Sequence, residues 1–285
     1  MRFFSLYFVL FFIFGCSQNK KEMSLNLVQN PEINSKNIVE SIKKQVKHYD
    51  YETRYFIKIS QNWCYAEILV NDLPVYSNYI DETVGLSISI KHSIFKSGTQ
   101  KITYRLYPIE KDFDDNTSIE IKVKEYNNKN DDAGKMLYHM KVTMMKCNPK
   151  KNYYEKSFTF KAVVPYILDG FDNTSNLKNL NEDELKSKLI KKYESLSKLY
   201  ENKDYDEIAR ISYTDMRNQF IAEYKDSDID DSWTELLNVY KNPTLKMEPI
   251  KDYKIVFYSN GHLVSLIHNS DDKRLKYRCS CRRKN

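Results

Sequence analysis

Ile119-Glu120-Ile121-Lys122-Val123-Lys124 is the stretch on which the fold turns. Apolar and charged side chains alternate one by one. An extended strand, whose successive side chains point to opposite faces, converts that order into one buried and one wetted face. On a helix the same order would spread charge around every side.

The alternation recurs on both sides of this stretch. Upstream, Tyr55, Ile57 and Ile59 share one face, as do Cys64, Ala66, Ile68 and Val70. Val84, Leu86, Ile88 and Ile90 form a third such face, and Ile102, Tyr104 and Leu106 a fourth. Downstream, Tyr138, Met140, Val142 and Met144 repeat the pattern, and Phe158, Phe160, Ala162 and Val164 close it. Turn-forming residues separate these runs at Asn71-Asp72, Ser97-Gly98, Asp114-Asp115-Asn116, Asn127 to Gly134 and Asn148-Pro149. Seven half-buried strands predict antiparallel sheets packed face to face: a β-sandwich over residues 51–168, immunoglobulin-like or jelly-roll in character. The Cys…Trp…Cys spacing of true immunoglobulin domains is absent.

The period changes after a polar linker, residues 169–180. Asn181 is placed to cap a helix, with Glu184 as its capping-box partner and Leu180 and Leu185 as a hydrophobic staple. Leu185, Leu189, Leu196 and Leu199 supply the buried stripe of that helix. A second helix is expected from Tyr205 to Tyr224, and a third from Ile229 to Tyr240, stopping before Pro243. Ser259-Asn260-Gly261 then joins Tyr253–Tyr258 to His262–His268 as a hairpin, and Arg274 to Cys279 reads as a further strand. Residues 181–285 therefore predict a small α+β domain, helices first and antiparallel strands after. Its basic end, which no sheet pattern continues, reads as truncated.

The first residues carry an address. Arg2 precedes an apolar run from Phe3 to Phe14, and Gly15 and Cys16 close it. About a dozen apolar residues fall short of the roughly 20 that span a bilayer, which favours a cleaved signal over an anchor helix. Ile13-Phe14-Gly15-Cys16 resembles the lipobox of bacterial lipoproteins, with Phe14 bulkier than the small residue usual there. The resemblance implies a signal peptide over residues 1–15, cleavage after Gly15, and acylation of Cys16 as the new N-terminus. Residues 16–50 then read as lipidated cysteine and tether, with a short helix over Ser35 to Lys47 where Ile38, Ile42 and Val46 recur every four residues.

Composition bounds the function. The net charge of +6 falls to +5 once Arg2 is lost, a modest excess spread along the chain, and a cell-envelope protein does not normally meet nucleic acid. With Cys16 lipidated, Cys64 and Cys147 fall in one expected domain of a disulfide-permissive compartment. They are a candidate disulfide pair, or else two buried thiols acting as small hydrophobes. The six glycines include no two within five residues of each other, so no phosphate-cradling loop, dinucleotide fingerprint or G-x-S-x-G elbow is present. The histidines (His48, His92, His139, His262, His268) form no metal-ligand pattern. Asp226, Asp228 and Asp230 begin like a calcium loop, but Asp231 and Leu237 stand where that loop needs glycine and glutamate; Asp228 reads better as a helix cap.

No catalytic residue, cofactor or metal is expected. The expectation is a lipid-anchored envelope lipoprotein, on the periplasmic side or the cell surface. It would act as a non-catalytic binding module for a protein, such as a toxin in an immunity pairing, or for a glycan. The alternative is a hydrolase of cell-wall or surface glycan, which would need two carboxylates set in a cleft. The 23 tyrosines mark no site by number alone, because strands favour tyrosine for packing. Tyrosines left exposed on a sheet would form a binding platform.

Overall fold

The computed structural model describes residues 29–79, 83–130, 133–143, 153–170, 174–241, 245–247, 250–269 and 281–283. The chain divides into two compact units. One comprises Lys47–Asp169 together with Ile221–Tyr224; the other comprises Met1–Val46, Gly170–Phe220 and Lys225–Asn285, so far as these are described.

The first of these units is sheet-rich and sandwich-like. Its strands are β1 (Thr53–Asn62), β2 (Tyr65–Val70), β3 (Leu73–Asn78), β4 (Val84–Ser89), β5 (Gly98–Tyr107), β6 (Ser118–Asn127), β7 (Lys135–Thr143) and β8 (Tyr154–Ala162). They form two four-stranded antiparallel sheets, in the orders β4-β1-β6-β7 and β3-β2-β5-β8. One core lies on both: Tyr55, Ile57 and Ile59 of β1 and Ile119, Ile121 and Val123 of β6 share it with Ala66, Ile68 and Val70 of β2 and Ile102, Tyr104 and Leu106 of β5. Each fully buried aliphatic side chain contributes about 1.5–3 kcal/mol, so the alternation read from the sequence is also the main source of stability. Met144 lies outside the described residues.

Strand β3 is absent from the sequence expectation. Pro74 breaks its pattern, and its residues do not alternate. Proline is tolerated there because β3 is the edge of its sheet and needs one ladder donor fewer. The Asn71-Asp72 turn was legible: both residues are left-handed (φ 51° and 64°), and Val70 pairs with Leu73 across them.

The second unit is helical with small strand pairs. Helices α1 (Ile38–Lys43), α2 (Glu182–Asn202), α3 (Tyr205–Glu223) and α4 (Ile229–Lys241) match the expected positions within a few residues. The last residues of α3 count with the sandwich. Asn181 caps α2 as expected, its side chain accepting from the N–H groups of Asp183 (3.0 Å) and Glu184 (3.2 Å). Glu184 itself pairs with Lys188 one turn on. Residues ahead of the sandwich also belong here: Ile33, Ile38 and Ile42 are buried with Ile208, Phe220 and Trp233. The helical stretch read as the end of a tether is thus part of a core.

Strands β10 (Tyr253–Tyr258) and β11 (Leu263–His268) form the expected hairpin, and β9 (Leu245–Met247) pairs with β12 (Cys281–Arg283). Arg274 to Cys279 lies outside the described residues. Helix α2 covers the hairpin through Leu185 and Leu189, which pack with Val264, Ile255 and Phe257. Leu177, within the stretch read as linker, is buried in the same cluster.

Candidate functional site

On sheet β3-β2-β5-β8, residues of even number in β2 point into the core, which turns Tyr65, Glu67 and their cross-strand partners outward. Register then places Glu67 opposite Arg105, and Arg105 opposite Glu155, as one row across three strands. Arg105 Nε donates to Glu155 at 2.6 Å, and its Nη1 lies 3.6 Å from Glu67. Glu67 is only 4% exposed, and accepts from the hydroxyls of Tyr107 (3.1 Å) and Tyr79. Tyr153 donates to Glu155.

Both carboxylates are therefore already engaged. The Tyr153 hydrogen bond, together with the bond and charge of Arg105, outweighs burial and holds Glu155 below the ordinary carboxylate range. Burial and the adjacent Glu155 push the Tyr153 hydroxyl up to about 12, so it remains a donor at neutral pH. Burial and Glu67 move Tyr107 in the same direction.

The aromatic rings gather at one end of this sheet. Tyr65 pairs with Tyr107, whose ring centroid lies 5.3 Å from that of Tyr153, and Tyr65 and Tyr79 are 5.9 Å apart. Trp63 sits at the turn that leads into β2. It is 50% exposed and adopts φ +49°, a backbone region that costs a bulky residue of order 1–3 kcal/mol. The turn is held on each side. Thr117 Oγ1 donates to the Trp63 carbonyl (2.8 Å), Gln61 Nε2 to the Cys64 carbonyl (2.6 Å), and Asn62 Nδ2 to the Asn116 carbonyl (2.9 Å). A large apolar side chain is thus presented to solvent on a backbone that its neighbours fix.

Sequence reasoning named none of these residues as a site. Its own candidates lie elsewhere. Cys16 and Cys147 are outside the described residues. Cys64 is buried beside the Ser118 carbonyl (3.9 Å), and burial pushes its thiol up to about 12. The histidines whose side chains are described stand apart: His48 on Glu52, His92 beside Glu223, His139 on Glu120 and His262 on the Thr174 carbonyl. Asp228 precedes α4 and accepts from Ser227, its carboxylate also pairing with Lys225. Among the described residues, no helix is long and apolar enough to cross a membrane.

Comparison with known proteins returned no match to a family model, a curated protein or a solved structure.

Proposed function

We propose that this chain is a lipid-anchored cell-envelope lipoprotein whose sandwich unit binds a protein partner through the aromatic end of sheet β3-β2-β5-β8. The carrying observation is Trp63, exposed and fixed in a left-handed turn. Interface hot spots are enriched in Trp, Tyr and Arg, and a pre-set backbone lowers the ordering cost of binding. Tyr107, Tyr153 and Arg105 supply that composition on the sheet whose strand β2 follows Trp63. Immunity to a toxin delivered into the envelope is the specific form of this reading, and the lipobox-like ending at Cys16 supplies the address.

At this surface binding is favoured over glycan hydrolysis: a glycosidase acid must be protonated near neutral pH, whereas the carboxyl of Glu155 is held below its ordinary range. The sandwich itself remains of immunoglobulin-like or jelly-roll type: β1–β6 around β2–β5 is nested like a folded-over hairpin, whereas β1–β4 beside β2–β5 crosses as B–E and C–F do in immunoglobulin domains.

The test is retention of the chain from Ser17 onward, which lacks the lipid anchor, on immobilised envelope protein. Trp63→Ala should weaken retention on envelope protein by about 30-fold or more, the scale of a hot-spot truncation of ~2 kcal/mol. Equal retention of wild type and W63A would overturn the proposed surface. Retention on protein-free envelope glycan would make the partner a glycan. Glycan cleavage by wild type but not by Glu155→Gln would make the protein a hydrolase.

A further inference from the structure

The helical unit contains a groove of about 640 Å³ where the start of α2 meets β10. Its floor is apolar and follows from two local patterns: the Leu180 and Leu185 staple of α2, and the alternating Tyr253, Ile255 and Phe257 of β10. Leu185 is buried, but Leu180, Ile255 and Phe257 are only partly so, which leaves apolar surface open to a ligand.

The rim is cationic. Lys178, Lys186 and Lys254 are exposed around the floor, against one carboxylate, Glu182. Two of the ammonium groups lie over rings of the floor, Lys178 Nζ 5.8 Å from the Phe257 centroid and Lys186 Nζ 5.5 Å from that of Tyr253. Aliphatic stems thus extend the apolar surface while the charges stay at its edge. The N-terminus of α2 contributes little, because Asn181 already occupies its first free N–H groups.

One wall is fixed. Asn176 Nδ2 donates to the Asn260 carbonyl at 3.0 Å, and Asn176 Oδ1 accepts from the Lys178 N–H at 3.0 Å, tying the segment before α2 to the β10–β11 turn. The groove has a volume within the roughly 300–1,000 Å³ usual for small-molecule sites. Being concave, it suits a single chain entering it better than a flat bilayer surface.

We propose that this groove binds a long-chain carboxylate, the aliphatic chain along Leu180, Ile255 and Phe257 and the carboxylate at the Tyr253 end, beside Lys186 and Lys254. Three cations against one anion supply the charge complementarity, and the open apolar floor supplies the need for a tail. The site is independent of the lipid anchor and of the sandwich surface.

The test uses the chain from Ser17 onward, which keeps every described residue, titrated with a fluorescent polyene fatty acid. Saturable binding is expected, displaced by palmitate and about tenfold less well by hexadecanol, which has the tail without the charge. Lys186→Gln with Lys254→Gln should weaken probe binding by about tenfold at an unchanged melting temperature. Absence of saturable binding would overturn the proposal. So would equal displacement by palmitate and hexadecanol, or equal affinity in the double variant. Binding to anionic phosphatidylglycerol vesicles with no displacement of the probe by palmitate would assign the groove to a membrane surface instead, and would equally overturn it.

Discussion

Arg105 and Glu155 stand opposite each other across β5 and β8, and the guanidinium Nε donates to the carboxylate at 2.6 Å. The same guanidinium reaches Glu67 on the other neighbouring strand. One cation therefore links three strands of the sheet that carries the proposed binding surface. Arg105→Gln should destabilise the sandwich by about 1–3 kcal/mol, because nearly buried Glu67 loses a charge partner. Denaturant unfolding monitored by tryptophan fluorescence checks this; an unchanged midpoint would count against the network.

Glu52 makes the acid response predictable. It is 2% exposed just before β1. Burial by itself would raise its carboxyl, but hydrogen bonds from Asn128, the Tyr49 N–H and His48, with the Lys129 charge, hold it below its ordinary value of 4.5. A carboxyl lowered in the folded state stabilises fully above its unfolded value, and that contribution fades as pH falls through the folded value. Glu52→Gln should therefore cost about 1–3 kcal/mol at neutral pH and progressively less as pH falls below 4.5. Unfolding curves of both proteins across that range test the sign; a gap that widens on acidification would contradict it.

These two networks were not legible in the sequence, for a physical reason. Residues 67, 105 and 155 meet only through strand register, and nothing local encodes register. Once the strands are assigned, alternation does put all three on the outer face, which was the available signal. Trp63 was equally silent, since a lone aromatic in a turn looks like any other until its exposure and backbone angle are known. Locally determined features were read well: the core faces of β1, β2 and β6, the Asn71-Asp72 turn, and the cap at Asn181. The period of Ile38 and Ile42 gave a helix but not its destination, because packing against Ile208 and Trp233 is a long-range choice. Strand β3 escaped because an edge strand with Pro74 lacks the alternation on which the reading depended.

The cap offers a direct check on the helical unit. Asn181→Ala removes the acceptor for two first-turn N–H groups and should lower stability by about 0.5–2 kcal/mol. Asn181→Asp, which keeps an acceptor at that position, should restore most of the loss. Thermal melts of the full chain distinguish the two variants; an equal loss in both would remove the cap as the explanation.

Gly261 tests the β10–β11 turn. It adopts φ +98°, and a Cβ there would lie 2.5 Å from Asn176 Oδ1. Gly261→Ala should therefore cost more than the ~1 kcal/mol typical of an alanine forced to positive φ, and should free the segment before α2. Hydrogen exchange at Lys178 reports this, since its N–H is held by Asn176. Unchanged protection there would show that the turn does not hold that wall of the groove.

Metabolic labelling of growing cells with a fatty-acid analogue reports whether the chain reaches its membrane address. Wild-type chain should take up the label and fractionate with membranes. Cys16→Ser should take up none, and should be found either released or as unprocessed precursor. Equal labelling of the two chains, or an unlabelled wild-type chain released free of membranes, would contradict the lipid-anchored reading.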